Sequence, residues 1–282
     1  MNRRGVYGLT SIPTKRLSNG VEMPYLGLGV YKMTNSEEAL NAMTKALELG
    51  YRAIDTAALY NNEVEVGEAI RASNIAREEI FVTTKVWNSD QGYDNTLKAF
   101  ETSLKKLGLD YIDLYLTHWA VPDKFVDTYR AIERLYEEKL IRVPGVSNHH
   151  EHHLEKISTK ANVKPMVDQI ELHPYLSQKP LLNYCKVNGI AVTAWAPLGR
   201  GKILEDETIA KIAAKYNKTA AQIILRWHYQ NDVMSIPKSV TPSRIEENMN
   251  IFDFEMSVED IEAIDGLNKD LRTGKDPDNF NF

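Results

Sequence analysis

Short apolar segments alternate with amphipathic segments along this chain, and the alternation limits the possible folds more than any other feature. Eight apolar segments have the length and composition of β-strands: residues 24–30, 51–57, 79–86, 111–118, 140–147, 166–172, 190–196 and 233–239. Strands that alternate with helices pair in parallel through right-handed crossovers. Eight such units predict a closed (β/α)₈ barrel, the TIM-barrel type of α/β fold, whereas six would favour an open sheet.

The predicted helices have apolar residues at helical spacing and, where clearest, a glycine at the end. They span residues 36–49, 93–107, 125–138, 152–160, 179–187 and 220–230, and two more, 206–216 and 257–267, are surplus to a minimal barrel. Residues 14–23, with a turn at Ser18-Asn19-Gly20, predict a hairpin that closes the barrel bottom. Because ~250 residues commonly form one barrel, we expect residues 1–282 to be a single domain.

Composition and charge argue against several other classes of protein. The net charge of −5, with both signs interspersed, gives no support to a nucleic-acid or anionic-membrane partner. The single cysteine, Cys185, forms no internal disulfide, which favours a reducing compartment. No segment approaches the ~18 consecutive apolar residues of a membrane span, and residues 1–17 lack a signal-peptide core. We expect a cytoplasmic monomer.

Seven successive predicted strands end on a polar, ionisable or aromatic residue. These are Asp55, followed by Tyr60, then Lys85, His118, Ser147 with Asn148, Gln169, Trp195, and Lys238 with Ser239. Each has an ordinary explanation when taken alone: Asp55 could cap the next helix, and Lys85 could lie at the surface. Active sites of such barrels form where the strands end, so together these residues predict one functional mouth.

Four of these residues make a proton-donating set. A tyrosine hydroxyl with a pKa of about 10 is a weak acid at neutral pH, and a nearby ammonium lowers that pKa. Lys85 can supply this charge, and Asp55 can hold Lys85 charged and oriented. His118 can donate a hydrogen bond to the same substrate oxygen as Tyr60. The set suits protonation of a carbonyl oxygen whose carbon is under attack.

The sequence offers no protein nucleophile to make that attack. It contains no Gly-x-Ser-x-Gly elbow, zinc-site spacing or Walker A loop, so we expect no metal. Gly27-Leu28-Gly29 lacks the third glycine of a Rossmann fingerprint. A hydride from a nicotinamide bound across the mouth would complete the reaction.

The run His149-His150-Glu151-His152-His153 is the one candidate metal site. His149 and His153 lie four residues apart and could chelate an ion on one helical face. The His-Glu-x-x-His motif fails, because its last position is Leu154. A solvated helix start is the favoured interpretation.

Several long motifs give the chain a family resemblance. GYRAIDTAALYNNEVEVGEAI, VTTKVWN and YIDLYLTHW carry the four residues of the proton-donating set, and GVSN, QIELHPY, WAPLG and IPKSVTPSRIEEN follow in order. In this order the motifs resemble those of aldo-keto reductases. Among these, bacterial glyoxal or methylglyoxal reductases, 2,5-diketo-D-gluconate reductases and trypanosomatid-type prostaglandin F synthases look most similar. The resemblance implies Tyr60 as general acid, supported by Asp55, Lys85 and His118.

The same resemblance implies NADPH as cofactor. Ser147, Asn148 and Gln169 would hold the nicotinamide carboxamide, and Trp195 would stack on its ring. The remaining implied cofactor residues are Val30, Leu198 near the pyrophosphate, Lys238, Ser239 and Arg244 around the 2′-phosphate, and Glu247 and Asn248 near the adenine. Two cations and a hydroxyl before a short helix independently suit a phosphomonoester, although a solvated basic turn is the alternative.

Tyr31, Trp87 and Trp119 each follow a strand end closely and would form an aromatic substrate pocket. In the family a C-terminal loop partly covers this pocket. The tail after Leu271 is short here, which predicts an open site that tolerates many small aldehydes and ketones.

Four positions depart from the family pattern. Pro144 stands where an aliphatic residue is usual and removes a donor from a barrel strand. His149 replaces phenylalanine, Asp168 replaces asparagine beside Gln169, and Ala120 replaces proline. We expect these departures to affect stability and cofactor affinity more than reaction type.

The sequence thus predicts an NADPH-dependent reductase of small carbonyl compounds. A non-catalytic NADPH-binding or structural protein with the same barrel is the main alternative. A metal-dependent hydrolase on a barrel is a weaker one, since the ligand pattern that it needs is missing.

Overall fold

The computed structural model describes residues 11–282, and its first feature is the predicted hairpin. The strands β1 (Thr14–Arg16) and β2 (Glu22–Pro24) pair antiparallel, with Gly20 in the left-handed region at φ +86°. The prediction that residues 1–17 lack a signal-peptide core falls mostly on residues 1–10, which lie outside the described residues.

Eight parallel strands follow in sequence order around the sheet. They are β3 (Leu28–Gly29), β4 (Ala53–Asp55), β5 (Phe81–Val86), β6 (Ile112–Thr117), β7 (Ile141–Ser147), β8 (Val167–Glu171), β9 (Ala191–Trp195) and β10 (Met234–Ser235). The backbone N–H of Gly27 donates to Ser235 at 3.0 Å, and that of Gly29 donates to Pro237 at 3.2 Å. These bonds join the first and last strands and close the sheet, which confirms the predicted barrel.

In the described part of the chain, ten helices accompany the strands. They are α1 (Ser36–Leu49), α2 (Glu63–Ala72), α3 (Tyr93–Leu107), α4 (Phe125–Glu137), α5 (Glu151–Ser158), α6 (Lys179–Val187), α7 (Glu207–Tyr216), α8 (Ala220–Gln230), α9 (Pro242–Met249) and α10 (Val258–Asp265). The two surplus helices predicted from the sequence are α7 and α10. Within residues 11–282, no helix is long and apolar enough to cross a bilayer.

Helix α2 was not predicted from the sequence. Gly67 lies in its middle, and glycine is a poor helix former. The structure explains this glycine, because a Cβ at Gly67 would collide with the backbone carbonyl of Leu107 at the end of α3. The close approach of the two helices therefore requires a residue that weakens the helical pattern.

Alternate residues of each strand face the barrel interior and the helices. On β6, Leu114 and Leu116 belong to an inner cluster with Phe81, whereas Tyr115 packs on Phe100 of α3 with ring centroids 5.1 Å apart. Leu17 and Met23 of the hairpin region belong to the same inner cluster. The hairpin thus seals the bottom and leaves the carboxyl ends of the strands as the open mouth.

Pro144 does not interrupt its strand. It lies in the middle of β7 opposite Tyr115, and its carbonyl accepts the backbone N–H of Met166 at 2.9 Å. The carbonyl of Pro144 itself is therefore satisfied, although the proline has no N–H to donate.

Candidate active site

A pocket of about 1040 Å³ opens at the carboxyl ends of the barrel strands. All the predicted site residues except Lys85 line it: Val30, Tyr31, Asp55, Tyr60, Trp87, His118, Trp119, Ser147, Asn148, Gln169, Trp195, Leu198, Lys238, Ser239, Arg244, Glu247 and Asn248. Lys85 is buried directly behind Tyr60. The barrel thus brings together residues that lie more than 200 positions apart in the chain.

Lys85 organises the centre of the pocket. Its Nζ lies 2.6 Å from Oδ1 of Asp55, 2.8 Å from the carbonyl oxygen of Thr56 and 3.4 Å from the hydroxyl of Tyr60. Asp55 ends β4, and Tyr60 ends the short 3₁₀ turn that follows it. The turn brings the hydroxyl back over the strand ends, within reach of the ammonium.

The pKa of Tyr60 differs from the sequence-based expectation. Burial raises this pKa, and the Lys85 ammonium lowers it only in part, so that the net pKa lies above its ordinary value. Burial also acts to lower the pKa of Lys85, but Asp55 and Tyr60 outweigh it, and that pKa is raised. The site therefore holds a protonated tyrosine next to a charged lysine, with burial as the larger effect on the tyrosine.

His118 lies directly after β6, and its ring packs edge-to-face against two other rings of the pocket. Its ring centroid is 5.9 Å from that of Tyr60 and 5.1 Å from that of Trp87. Burial, followed by the charge of Lys85, lowers the pKa of His118 well below its usual range. The imidazole is thus neutral and can donate a hydrogen bond from one ring nitrogen without carrying charge.

The strand ends next to this centre carry amide and hydroxyl groups. Gln169 Nε2 donates to Oδ2 of Asp55 at 2.7 Å, and Ser147 Oγ donates to the carbonyl of Gln169 at 2.7 Å. Asn148 accepts from Trp195 Nε1 at 2.8 Å and donates to the carbonyl of His118 at 3.0 Å. These bonds fix the orientation of the side chains that the resemblance assigns to the carboxamide and the nicotinamide ring.

Basic residues gather at the far end of the pocket, where β10 leads into α9. Lys238 and Arg244 are exposed there, while Ser239 is buried and its Oγ accepts the backbone N–H of Thr241 at 3.1 Å. Two further cations that the sequence analysis missed, Arg200 and Lys275, also line the pocket. They come from a loop and from the tail, where no strand-end pattern could reveal them.

The C-terminal tail lies against one wall of the pocket, and the expectation of an open site that tolerates many small substrates stays a prediction. Phe280 packs on Trp119 with ring centroids 5.1 Å apart. The ring centroid of Phe282 lies 5.2 Å from that of Trp119 and 5.2 Å from that of Trp87. Phe282 also lines the pocket. The two phenylalanine rings of the tail therefore pack on the two tryptophans of the aromatic wall.

Glu171 anchors the start of this tail, a role that the sequence analysis missed. Its carboxylate accepts the backbone N–H groups of Thr273 at 2.7 Å and Gly274 at 2.9 Å. His173 Nε2 lies 2.8 Å from the same carboxylate. Gly274 is pressed against the ring of Trp195, where any Cβ would collide. The anchored segment forms one side of the pocket.

Comparison with known proteins agrees with the fold. The sequence profile of the aldo/keto reductase family matches residues 25–269. This chain belongs to the aldo/keto reductase family. A glyoxal reductase of Bacillus subtilis (strain 168) is 55% identical over 269 residues, which are 95% of this chain and 98% of the relative. The resemblance found in the motifs is thereby confirmed.

Two solved structures illustrate the likeness of the fold. An aldo-keto reductase from a Medee basin deep-sea metagenome library superposes with a TM-score of 0.93 at 49% identity, over 95% of this chain and 100% of the other. An aldo-keto reductase of Bombyx mori, solved in complex with NADP, gives a TM-score of 0.88 at 36% identity, over 95% and 96% of the two chains.

Asp168, one of the departures from the family pattern, lies away from the pocket. It neighbours Gln169 on β8 and therefore faces the opposite side of the strand. It is completely buried, and neither carboxylate oxygen has a hydrogen-bond partner within residues 11–282. Burial raises its pKa well above the usual range. Asp168 thus bears on stability rather than directly on the cofactor end of the site.

The histidine run is not simply a solvated helix start, as the sequence had suggested. His149 and His153 are buried, and each packs edge-on against Phe125, with centroids 5.6 Å and 5.2 Å away. Burial and the nearby His153 lower the pKa of His149 to about 3, so this ring is neutral.

Ala120, another of the departures from the family pattern, is buried and lies outside the main pocket.

Proposed function

We propose that this protein is an NADPH-dependent reductase that converts small aldehydes and ketones to alcohols. The observation that carries the proposal is the arrangement around Tyr60: a hydroxyl at the wall of the pocket, the buried Lys85–Asp55 pair behind it, and neutral His118 beside it. Two names from the comparisons support it, a glyoxal reductase among the relatives and an NADP complex among the solved structures.

The chemistry of the pocket fits a phosphorylated dinucleotide. Near Tyr60, Ser147, Asn148 and Gln169 offer the hydroxyl and amide groups that suit a carboxamide. At the other end, Lys238 and Arg244 offer cations that suit a phosphomonoester, which NADPH has and NADH lacks. The remaining implied cofactor residues, Val30, Trp195, Leu198, Ser239, Glu247 and Asn248, line the wall between and around these ends.

The residues of this chain would perform the proton part of the reaction. When bound, the nicotinamide supplies the hydride. His118 donates a hydrogen bond that orients the substrate oxygen, and the Tyr60 hydroxyl transfers its proton to that oxygen as negative charge develops. The Lys85 ammonium stabilises the phenolate that remains, and Asp55 keeps Lys85 charged and in place. Such proton transfer typically contributes about 10²–10⁴-fold to the rate.

The substrates that fit this pocket are small carbonyl compounds. Tyr31, Trp87 and Trp119 form an aromatic wall, and Phe282 closes it. Glyoxals, keto-sugars and aromatic aldehydes are the classes we propose. Aromatic substrates are expected to gain most from stacking on these rings.

The decisive experiment measures NADPH oxidation at 340 nm with methylglyoxal, a keto-sugar and an aromatic aldehyde, and repeats the assay with NADH. We expect turnover with a preference for NADPH. Tyr60→Phe is expected to abolish turnover while NADPH still binds, as measured by quenching of tryptophan fluorescence. Retained activity in Tyr60→Phe would refute the assigned acid. NADPH binding without reduction of any substrate would favour the non-catalytic alternative.

A further inference from the structure

Three histidines of the helix α5 region face two aspartates of the C-terminal tail. His152 Nε2 lies 2.6 Å from Oδ1 of Asp278, and His153 Nε2 lies 3.4 Å from the same oxygen. His150 Nε2 lies 3.3 Å from Asp276 and 3.7 Å from Oδ2 of Asp278. The ligand atoms of His150, Asp276 and Asp278 all lie within 4.8 Å of one another, as do those of His152, His153 and Asp278. We call these five residues the tail clasp.

The members of the tail clasp differ in their ability to bind a metal ion. The Nδ1 of His153 accepts the backbone N–H of His150 at 2.9 Å, so in the neutral ring the proton sits on Nε2. His153 can therefore donate to Asp278 but has no free lone pair for an ion.

His150 and His152 are under no such restriction. Asp278 reaches toward both of them, Oδ1 to His152 and Oδ2 to His150, so its carboxylate already spans the gap between the two imidazoles. His152 is 62% exposed in its side chain, which leaves it free to rotate. Two imidazoles and two carboxylates form a donor set typical of zinc and related divalent transition metals. His153 would then orient Asp278 by donating a hydrogen bond to its carboxylate, as outer-shell groups do in metal sites.

A second pocket gives an ion access to the tail clasp. A second pocket of about 370 Å³ lies between the start of α4 and the tail, and His152, His153 and Asp278 are on its wall. Lys156 lies on the same wall, and Arg272 approaches Asp276 at 3.9 Å. Among residues 11–282, an ion would therefore compete with Arg272 for Asp276, whereas no lysine or arginine pairs with Asp278.

The tail clasp is directly linked to the main pocket. Asp278 lies two residues before Phe280 and four before Phe282, the two rings that pack on Trp119 and Trp87. Phe280 lines the second pocket, and its ring packs on that of Trp119, which lines the main pocket. An interaction that fixes Asp278 therefore also limits how far the rings of Phe280 and Phe282 can move away from Trp119 and Trp87.

We propose that His150, His152, Asp276 and Asp278 bind a divalent transition metal ion such as Zn²⁺, and that the ion fastens the C-terminal tail over the substrate pocket. The sequence alone gave no such set, because its ligands come from two segments more than 120 positions apart. The binding part stands independently of the proposed function, while the effect on substrates rests on it.

The binding test uses the full chain without an affinity tag, titrated calorimetrically with ZnCl₂ at pH 7.5. We expect one saturable site that His152→Asn and Asp278→Asn each weaken by at least about 10–100-fold, the loss that even outer-shell changes cause. Asp270→Asn is the matched control, since it removes one carboxylate of the same tail outside the clasp. Equal affinities in all four proteins, or no binding, would overturn the site.

The effect on the tail is measured without turnover, by trypsin cleavage after Arg272 and Lys275 and by the fluorescence of Trp87 and Trp119. We expect Zn²⁺ to slow the cleavage and change the fluorescence in the parent and in Asp270→Asn, but not in Asp278→Asn. Zinc binding that leaves both signals unchanged would overturn the fastening. Finally, Zn²⁺ should lower KM for an aromatic aldehyde in the parent but not in Phe282→Ala. An enzyme inactive on every carbonyl would refute the proposed function and leave the binding result intact.

Discussion

Behind Tyr60, the ammonium of Lys85 lies 2.6 Å from the carboxylate of Asp55, and both side chains are buried. A buried ion pair is expensive to desolvate and adds little to stability by itself. Removing one partner is different, because it leaves an uncompensated charge in the barrel. We therefore propose a functional explanation for the pair: it keeps a cation beside the Tyr60 hydroxyl, where the charge of a surface lysine would be screened by solvent.

Replacing either member of this pair should reduce both stability and turnover. Asp55→Asn leaves Lys85 without its carboxylate, and we expect a loss of about 3–5 kcal/mol in the free energy of unfolding. Lys85→Met should lower kcat by roughly 10² or more. It should also move the alkaline limb of the pH–rate profile to higher pH, because Lys85 lowers the pKa of Tyr60. Urea unfolding and pH-dependent kinetics measure these effects. Additive stability losses in the double variant would contradict the coupling.

Asp168→Asn should stabilise the protein at neutral and alkaline pH. The folded-state pKa of Asp168 is raised by burial, so the folded protein keeps this proton to higher pH than the unfolded chain. Stability is therefore greatest below the unfolded pKa of about 3.9 and is lost as pH rises toward the folded pKa. An amide does not titrate, and we expect a gain of about 1–3 kcal/mol at pH 7.5. Urea unfolding at pH 4 and pH 7.5 should show the gain only at the higher value; equal gains at both would contradict this origin.

The sequence predicted the barrel and the main site because both depend on local patterns. Strand-end residues such as Lys85 and His118 follow apolar runs directly, and parallel pairing brings all such ends to one mouth. Most predicted helices matched to within one or two residues, since apolar spacing and glycine ends are local too. Helix α2 was missed because Gly67 serves a contact with α3 that no local pattern contains.

The parts that escaped prediction depend on contacts between distant segments. The anchoring of Thr273 by Glu171 joins residues 102 positions apart, and nothing near either one indicates it. The same holds for the tail rings on Trp87 and Trp119, since a tail's length does not tell where it folds. The net pKa of Tyr60 also required the structure, because burial opposes the charge of Lys85 and only the packed pocket shows which effect is larger.

Arg244→Ala should change the choice between the two nicotinamide cofactors. Arg244 lines the far end of the pocket, where we propose that it pairs with the 2′-phosphate. Loss of a charge-assisted hydrogen bond is worth about 1.5–3 kcal/mol, so KM for NADPH should rise roughly tenfold or more while KM for NADH stays unchanged. Steady-state kinetics with both cofactors checks this. Lys202→Ala is the control, because Lys202 is an exposed cation outside the pocket. Equal increases in KM for NADPH and for NADH would contradict the proposed pairing of Arg244 with the 2′-phosphate.

Glu171→Gln should loosen the tail and weaken cofactor binding. Burial would raise the pKa of Glu171, but hydrogen bonds from His173 and from the backbone of Thr273 and Gly274 outweigh it, and the pKa is lowered. Its contribution to stability is therefore complete above the unfolded pKa of about 4.3 and is lost as pH falls through the lower folded value. At pH 7.5 the amide leaves an N–H facing other donors, and we expect the tail attachment to weaken by about 1.5–3 kcal/mol.

Two measurements follow for this variant, and both report on the segment that Glu171 holds. Trypsin should cleave after Arg272 and Lys275 roughly tenfold faster or more, because cleavage of a transiently opened segment follows the free energy of opening. KM for NADPH should rise, since Thr273, Gly274 and Lys275 form one side of the pocket. Glu205→Gln, an exposed carboxylate outside the pocket, is the matched control and should change neither quantity. If Glu171→Gln unfolds at lower urea while its tail stays as resistant to trypsin as the parent's, Glu171 supports the barrel rather than the tail.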